Sequence, residues 1–163
     1  MALNTPQPPV RWHTREDSGL SIDRDLQWWH DGERIEHPKI VEAFNRGLTV
    51  TDDGRYRLTF GNDWCFVTVA GCAFGAVAID VHDDQVWLRL SDRTAEPLAP
   101  LTLAMEPDGA LSAAVKQGRA RAKLTRPAHV ELGSLLALRD GQVVLDLGGS
   151  HRPTSLSPAA LDD

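Results

Sequence analysis

The chain is poor in the residues that staple small proteins or arm them for catalysis. Its 163 residues include two cysteines, two methionines and one tyrosine. Cys65 and Cys72 lie in apolar, strand-like sequence, and no Cys-x-x-Cys occurs, so neither a cysteine zinc site nor a redox motif is indicated. Extended chain between them would hold their Cα atoms roughly 20 Å apart, well beyond the ~7 Å reach of a disulfide, and two free thiols are expected. No apolar run approaches ~18 residues and no apolar stretch opens the chain, so no membrane span and no signal sequence are expected, and the cytoplasm is the expected location. Positive charge is also short. Lys and Arg number 17 against 23 Asp and Glu, a net charge of -6 that disfavours non-specific binding to nucleic acid.

The motifs of familiar chemistry are missing too. There is no Gly-x-Ser-x-Gly, no Gly-x-x-x-x-Gly-Lys-Ser/Thr and no His-Glu-x-x-His. Six histidines are present: His13, His30, His37, His82, His129 and His151. His30-Asp31 and His82-Asp83-Asp84 carry metal-ligand residue types, but both read as turns, so neither a metal nor a cofactor is expected. Ser150-His151 falls in a loose tail, and no catalytic residue is assigned.

What remains is the pattern of a soluble α+β protein. Hydrophobic residues make up 42% and charged residues 25%, ordinary values for a globular domain. Residues 1–18 read as a flexible arm that folds back through Val10 and Trp12; residues 19–74 and 75–152 as two subdomains; residues 153–163 as a fraying tail. Asp31-Gly32, Asp52-Asp53-Gly54, His82-Asp83-Asp84-Gln85, Pro107-Asp108-Gly109 and Asp140-Gly141 punctuate short strands as tight turns. Pro38 opens a helix with an apolar stripe of Ile40, Val41, Phe44 and Leu48, stopped near Gly47. Pro127 opens a second, with Leu132, Leu135 and Leu136 apolar. Phe44, Leu58, Phe66 and Leu132 are expected in the core. The order predicts two halves of antiparallel strands, each with one helix.

From Ile22 to Thr59 the motifs have an order of their own. Asp25-x-x-Trp28-x-x-x-Gly32-x-x-Ile35 precedes the helix with Phe44, and Gly54-x-Tyr56-x-Leu58-x-Thr59 follows it. Further on, Ala122-Lys123-Leu124-Thr125-Arg126 runs into the helix of Leu132, and Gly148 ends the pattern. Over roughly residues 20–150 the chain resembles the bacterial family known only as domain of unknown function twelve-eighty-five (DUF1285). Leu26 stands where that family usually has glycine, Thr59-Phe60-Gly61-Asn62 replaces its Thr-Pro-x-Glu, and Ala70-Gly71 replaces an acidic pair, so the chain resembles a divergent member. The resemblance implies two similar α+β halves, the second loosely like a pleckstrin-homology domain, and a cleft between them suited to a nucleotide-like ligand. It implies no established activity.

The strongest local signal is a basic strip in an acidic chain. Lys116, Arg119, Arg121, Lys123 and Arg126 fall in one short segment, and alternation puts Arg119, Arg121 and Lys123 on one strand face. Such a strip contacts an anion, because Arg grips phosphate or carboxylate with two prongs, or it is a solvated face that discourages edge pairing. Trp28 and Trp29 face opposite ways, one into the core and one free to stack. The resulting expectation is a non-enzymatic module that binds or senses an anionic, nucleotide-like small molecule in the cleft, as signal transduction requires. Arg126, Arg121, Trp28, Tyr56 and Thr59 would line it. The alternatives are a protein-interaction subunit and an enzyme of unrecognised type using the same cleft; no nucleic-acid or membrane partner is expected, and a homodimer is compatible with the sequence.

Overall fold

In a computed structural model of the chain, residues 13–162 are described. The expected contacts of Val10 and Trp12 lie outside these residues. The first half contains β1 (Leu20–Ile22), β2 (Trp28–His30), β3 (Glu33–Arg34), α1 (Pro38–Gly47), β4 (Leu48–Val50), β5 (Tyr56–Phe60) and β6 (Asp63–Val69). The second contains β7 (Phe74–His82), β8 (Gln85–Leu90), β9 (Ala95–Pro97), β10 (Ala104–Met105), β11 (Leu111–Val115) and β12 (Ala120–Leu124). After it come α2 (Arg126–Gly133), β13 (Leu136–Arg139), β14 (Gln142–Asp146) and β15 (His151–Pro153).

The class is α+β, as the sequence predicts, and the two halves share one topology. The first sheet runs β3-β2-β1-β6-β5-β4 and the second β9-β8-β7-β12-β11-β10. Counted from its own first strand, each sheet therefore has the same order. Each also joins its first strand to its last in parallel, with Ile22 opposite Val69 and Phe74 opposite Ala122, while every other pairing in them is antiparallel. The sheets are thus mixed rather than wholly antiparallel: a crossover after the third strand lets the last strand return beside the first. In the first half α1 makes that crossover. In the second, a single 3-10 turn at Pro100–Thr102 does, again opened by proline. Helix α2 follows the second sheet and packs on β7 and β12.

Local sequence explains the turns. The two-residue hairpin loops Asp31-Gly32, Asp83-Asp84 and Asp140-Gly141 all have positive φ, the twist-matched geometry that Asp and Gly tolerate best. Gly47 ends α1 for a different reason. A Cβ there would lie 2.1 Å from the Thr59 carbonyl oxygen, so only glycine lets the helix end against β5.

One core joins the halves. Ile22, Trp28, Leu48 and Leu58 meet Phe74, Leu88, Leu103, Val115 and Leu124, with Leu132 from α2 and Val143 and Leu145 from β14. Phe44 is only half-buried at its margin. Phe66 corrects the prediction outright: β6 turns Cys65 and Val67 toward the core, so Phe66 and Trp64 share the outer face, ring against ring at 5.4 Å with the Arg55 guanidinium over Phe66. The second helix stops at Gly133, and Leu136 opens β13 of a separate three-stranded sheet instead. The tail does not fray as expected. Leu156 and Thr154 are buried, Thr154 donates its hydroxyl to the Val143 carbonyl, and Ser155 donates to the Leu103 carbonyl.

Leu26 carries a testable local strain. Its φ is 65°, the left-handed region that costs a non-glycine residue about 1–2 kcal/mol, while its Cδ1 packs over Gly75. Leu26→Ala keeps the strain and loses the packing, and is expected to destabilise by about 1–2 kcal/mol. Leu26→Gly relieves the strain and should come out closer to neutral. Urea midpoints decide it, and an Ala variant as stable as the Gly variant would contradict the account.

Candidate functional site

The basic strip mostly ties the molecule together. Lys116 donates from Nζ to Asp92 at 2.6 Å and to Thr94 at 2.9 Å. Arg119 reaches across to Asp52 of the first half at 2.6 Å, and Lys123 binds Asp108 and donates to the Arg24 carbonyl at 2.9 Å. Arg121 donates from Nε and Nη2 to the Ser112 hydroxyl at 3.1 and 3.0 Å, and from Nη2 to the Thr102 carbonyl at 2.8 Å. The Arg126 side chain makes no hydrogen bond or ion pair among the described residues.

A cavity of about 520 Å³ lies between the two sheets. Tyr56 of β5 forms its first-half wall, Arg24 comes from the β1–β2 loop, and Gly71 and Cys72 come from the short link between halves. Glu106, Arg119 and Arg121 complete it from the second half. The link lies against the Arg24 stem at Gly71, where a Cβ would sit 3.4 Å from Arg24 Cα and Cγ, an ordinary van der Waals contact. The Arg24 side chain has no hydrogen bond or ion pair among the described residues, and Arg121 keeps Nη1 without one.

The cavity's acid is already engaged. Ser112 donates its hydroxyl to Glu106 Oε1 at 2.5 Å, and the Cys72 thiol lies 3.7 Å from the same oxygen. Burial, with the Glu106 charge beside it, pushes the Cys72 thiol up to about 11. Burial likewise raises the Tyr56 hydroxyl, with Cys72 adding to it. Both groups therefore stay protonated near neutrality: Tyr56 can donate a hydrogen bond, and Cys72 is held in the form that a nucleophile must leave. Both cysteines are free thiols, as expected.

No protein-family model matches the chain, and no curated protein does. Solved structures do. A DUF1285 family protein from Silicibacter pomeroyi DSS-3 superposes with a TM-score of 0.68 at 22% identity, covering 99% of this chain and 93% of that one. The chain has the DUF1285 fold. A second DUF1285 family protein, from Shewanella baltica OS155, gives a TM-score of 0.50 at 18% identity over 67% of this chain and 85% of that one. The resemblance read from scattered motifs thus holds at the level of the fold. Leu26 shows why a divergent chain still adopts it: where the family motif has glycine, this residue keeps the glycine-like φ.

On the DUF1285 fold the five predicted site residues disperse. Tyr56 and Arg121 line the same cavity between the halves. Trp28 does not: it is 1% exposed, and its Nε1 donates to Asn45 at 2.8 Å inside the core. Thr59 is on the opposite face of β5 from Tyr56, because strand alternation puts Tyr56 and Leu58 together, so it is excluded as well. Arg126 lines a different cavity, of about 570 Å³, with Asp25, Asp108, Lys123 and His129. Arg24 was missed. It carries no strand alternation or motif of its own, and only the β6–β7 link folding back past it makes it a wall of the site.

Among the described residues no helix is long and apolar enough to cross a membrane.

Proposed function

We propose that the cavity between the halves binds an anionic small molecule and that the protein is a cytoplasmic binding or sensing module rather than an enzyme. The observation that carries this reading is the unpartnered Arg24 beside the half-committed Arg121, with a protonated Tyr56 hydroxyl opposite and Glu106 already satisfied. A fixed guanidinium and a free one suit a phosphate or carboxylate, which accepts several charge-assisted hydrogen bonds at once. The neutral Ala70-Gly71 link lines the same wall, so no further acid competes there. A nucleotide-sized ligand fits a cavity of this volume. Reaction chemistry has less support, since the thiol in the cavity is held protonated.

The test is thermal shift with inorganic phosphate and with adenine and guanine nucleotides. A ligand present at about 100 times its dissociation constant adds about 2.7 kcal/mol of stability. Arg24→Ala should abolish the response while moving the ligand-free midpoint little, because that side chain makes no hydrogen bond or ion pair among the described residues. Arg121→Lys should weaken the response and lower the ligand-free midpoint as well, since lysine cannot reproduce the bonds to Ser112 and Thr102. Equal shifts in wild type and Arg24→Ala, or no shift with any anion, would overturn the reading.

A further inference from the structure

His13, His30 and Asp31 meet at one point on the first half, and none of them lines the cavity described above. Backbone bonds fix both segments that carry them. His13 precedes a turn in which the Thr14 N–H donates to the Asp17 carbonyl at 3.1 Å, and the Arg15 carbonyl accepts the Phe66 N–H at 2.8 Å, pinning the turn to β6. Asp31 opens the β2–β3 loop with φ 50°, and its N–H donates to the Gly19 carbonyl at 3.0 Å. Nε2 of His13 lies 2.8 Å from Asp31 Oδ2, and Nε2 of His30 lies 3.6 Å from the same oxygen. No two of the three ligand atoms are more than 4.8 Å apart.

We propose that these three residues bind a divalent cation of the zinc class. Tetrahedral zinc with bonds of about 2.0–2.1 Å sets its ligands about 3.3 Å apart, so two of the three edges already lie within about half an ångström of the requirement. The third closes by rotation of imidazoles that are solvent-accessible. Two imidazoles and one carboxylate favour zinc or its later transition-metal neighbours over magnesium and calcium. Water would take the fourth position, since the cluster among the described residues offers three ligand atoms. A cavity of about 530 Å³, with Asp31 in its wall, adjoins the site. That cavity gives a cation a path of entry to the cluster. A bound ion would clip the segment before β1 to the β2–β3 loop.

Isothermal titration of zinc chloride into the full chain, stripped with chelator, tests this. One equivalent should bind and raise the melting midpoint, and magnesium should do neither. His13→Ala and His30→Ala should each weaken zinc by about tenfold or more, since even outer-shell changes reach that size, while the metal-free midpoints stay at the wild-type value. Zinc binding that is unchanged in the double His13→Ala, His30→Ala variant would place the ion elsewhere and overturn the proposal, as would the absence of any zinc heat with the wild type. Neither outcome bears on Arg24 or the anion cavity.

Discussion

Trp28→Ala is expected to lower the folding free energy by about 3–5 kcal/mol, the range for deleting a large aromatic from a packed interior. Trp28 is 1% exposed and sits where β2 faces α1, edge-on to Phe44 at a centroid distance of 5.2 Å. Its indole also satisfies Asn45, a residue of α1, through the 2.8 Å bond. The substitution therefore removes apolar area, an aromatic pair and a donor together, and each loss loosens the seat of the helix. Trp28→Phe separates the parts. It keeps most of the area but leaves Asn45 Oδ1 without its donor, and should cost about 1–2 kcal/mol. Denaturant midpoints followed by circular dichroism measure both. A loss below about 1 kcal/mol for Trp28→Ala would mean that the helix does not rest on this residue, and a Trp28→Phe variant that loses ligand response at unchanged stability would return Trp28 to the binding site.

The distribution of what the sequence revealed follows from range. Turn chemistry is local, so Asp31-Gly32 and Asp140-Gly141 marked hairpins correctly, and Pro38 and Gly47 bounded α1, although Leu48, expected as the last member of its stripe, opens β4 instead. Strand alternation is local too, and it placed Arg121 and Lys123 on one face of β12 opposite Ala120, Ala122 and Leu124, although Arg119, expected on the same strand face, falls in the turn before it. Alternation does not say which face is the core. Trp64–Val69 offered apolar residues on both faces, and Phe66 fell on the outer one. Nor does alternation name partners. The strip looked like an anion site because Asp52, Asp92 and Asp108, which neutralise three of its members, are distant in sequence. The repeat of topology was concealed for a related reason: a ten-residue helix in one half corresponds to a three-residue turn in the other. His13 meets His30 because the segment before β1 lies beside the end of β2, joined by the β1–β2 pairing and the Asp31 N–H to the Gly19 carbonyl, and no spacing rule anticipates that.

The Lys116–Asp92 pair is the tie whose loss should be felt most among the ion pairs. Exposed pairs such as Arg119–Asp52 contribute little, since water and salt screen them. Asp92 is different: its side chain is 7% exposed, and it accepts bonds from Lys116 Nζ at 2.6 Å, Thr94 Oγ1 at 2.6 Å and the Thr94 N–H at 3.0 Å. Lys116 lies over the Phe74 ring at 5.1 Å, and its own N–H donates to Glu96. Burial pushes the Asp92 carboxyl up, but the bonds from Lys116 and Thr94 outweigh it and hold the group below the usual carboxylate range. Asp92→Ala removes the acceptor while leaving the ammonium part-buried, and is expected to cost about 2–3 kcal/mol at pH 7. The sign of the pH dependence is fixed by the direction of the shift. A carboxyl whose folded pKa is depressed contributes its full stability above its unfolded pKa, about 3.9, and loses it as the pH falls through the lower folded value. The stability difference between wild type and Asp92→Asn should therefore stay constant from pH 7 to about 5 and shrink below about pH 4. Other carboxylates titrate in both proteins and cancel in the difference. Urea titrations at several pH values provide the measurement, and a difference that persists undiminished well below pH 4 would show that Asp92 acts through its shape and not its charge.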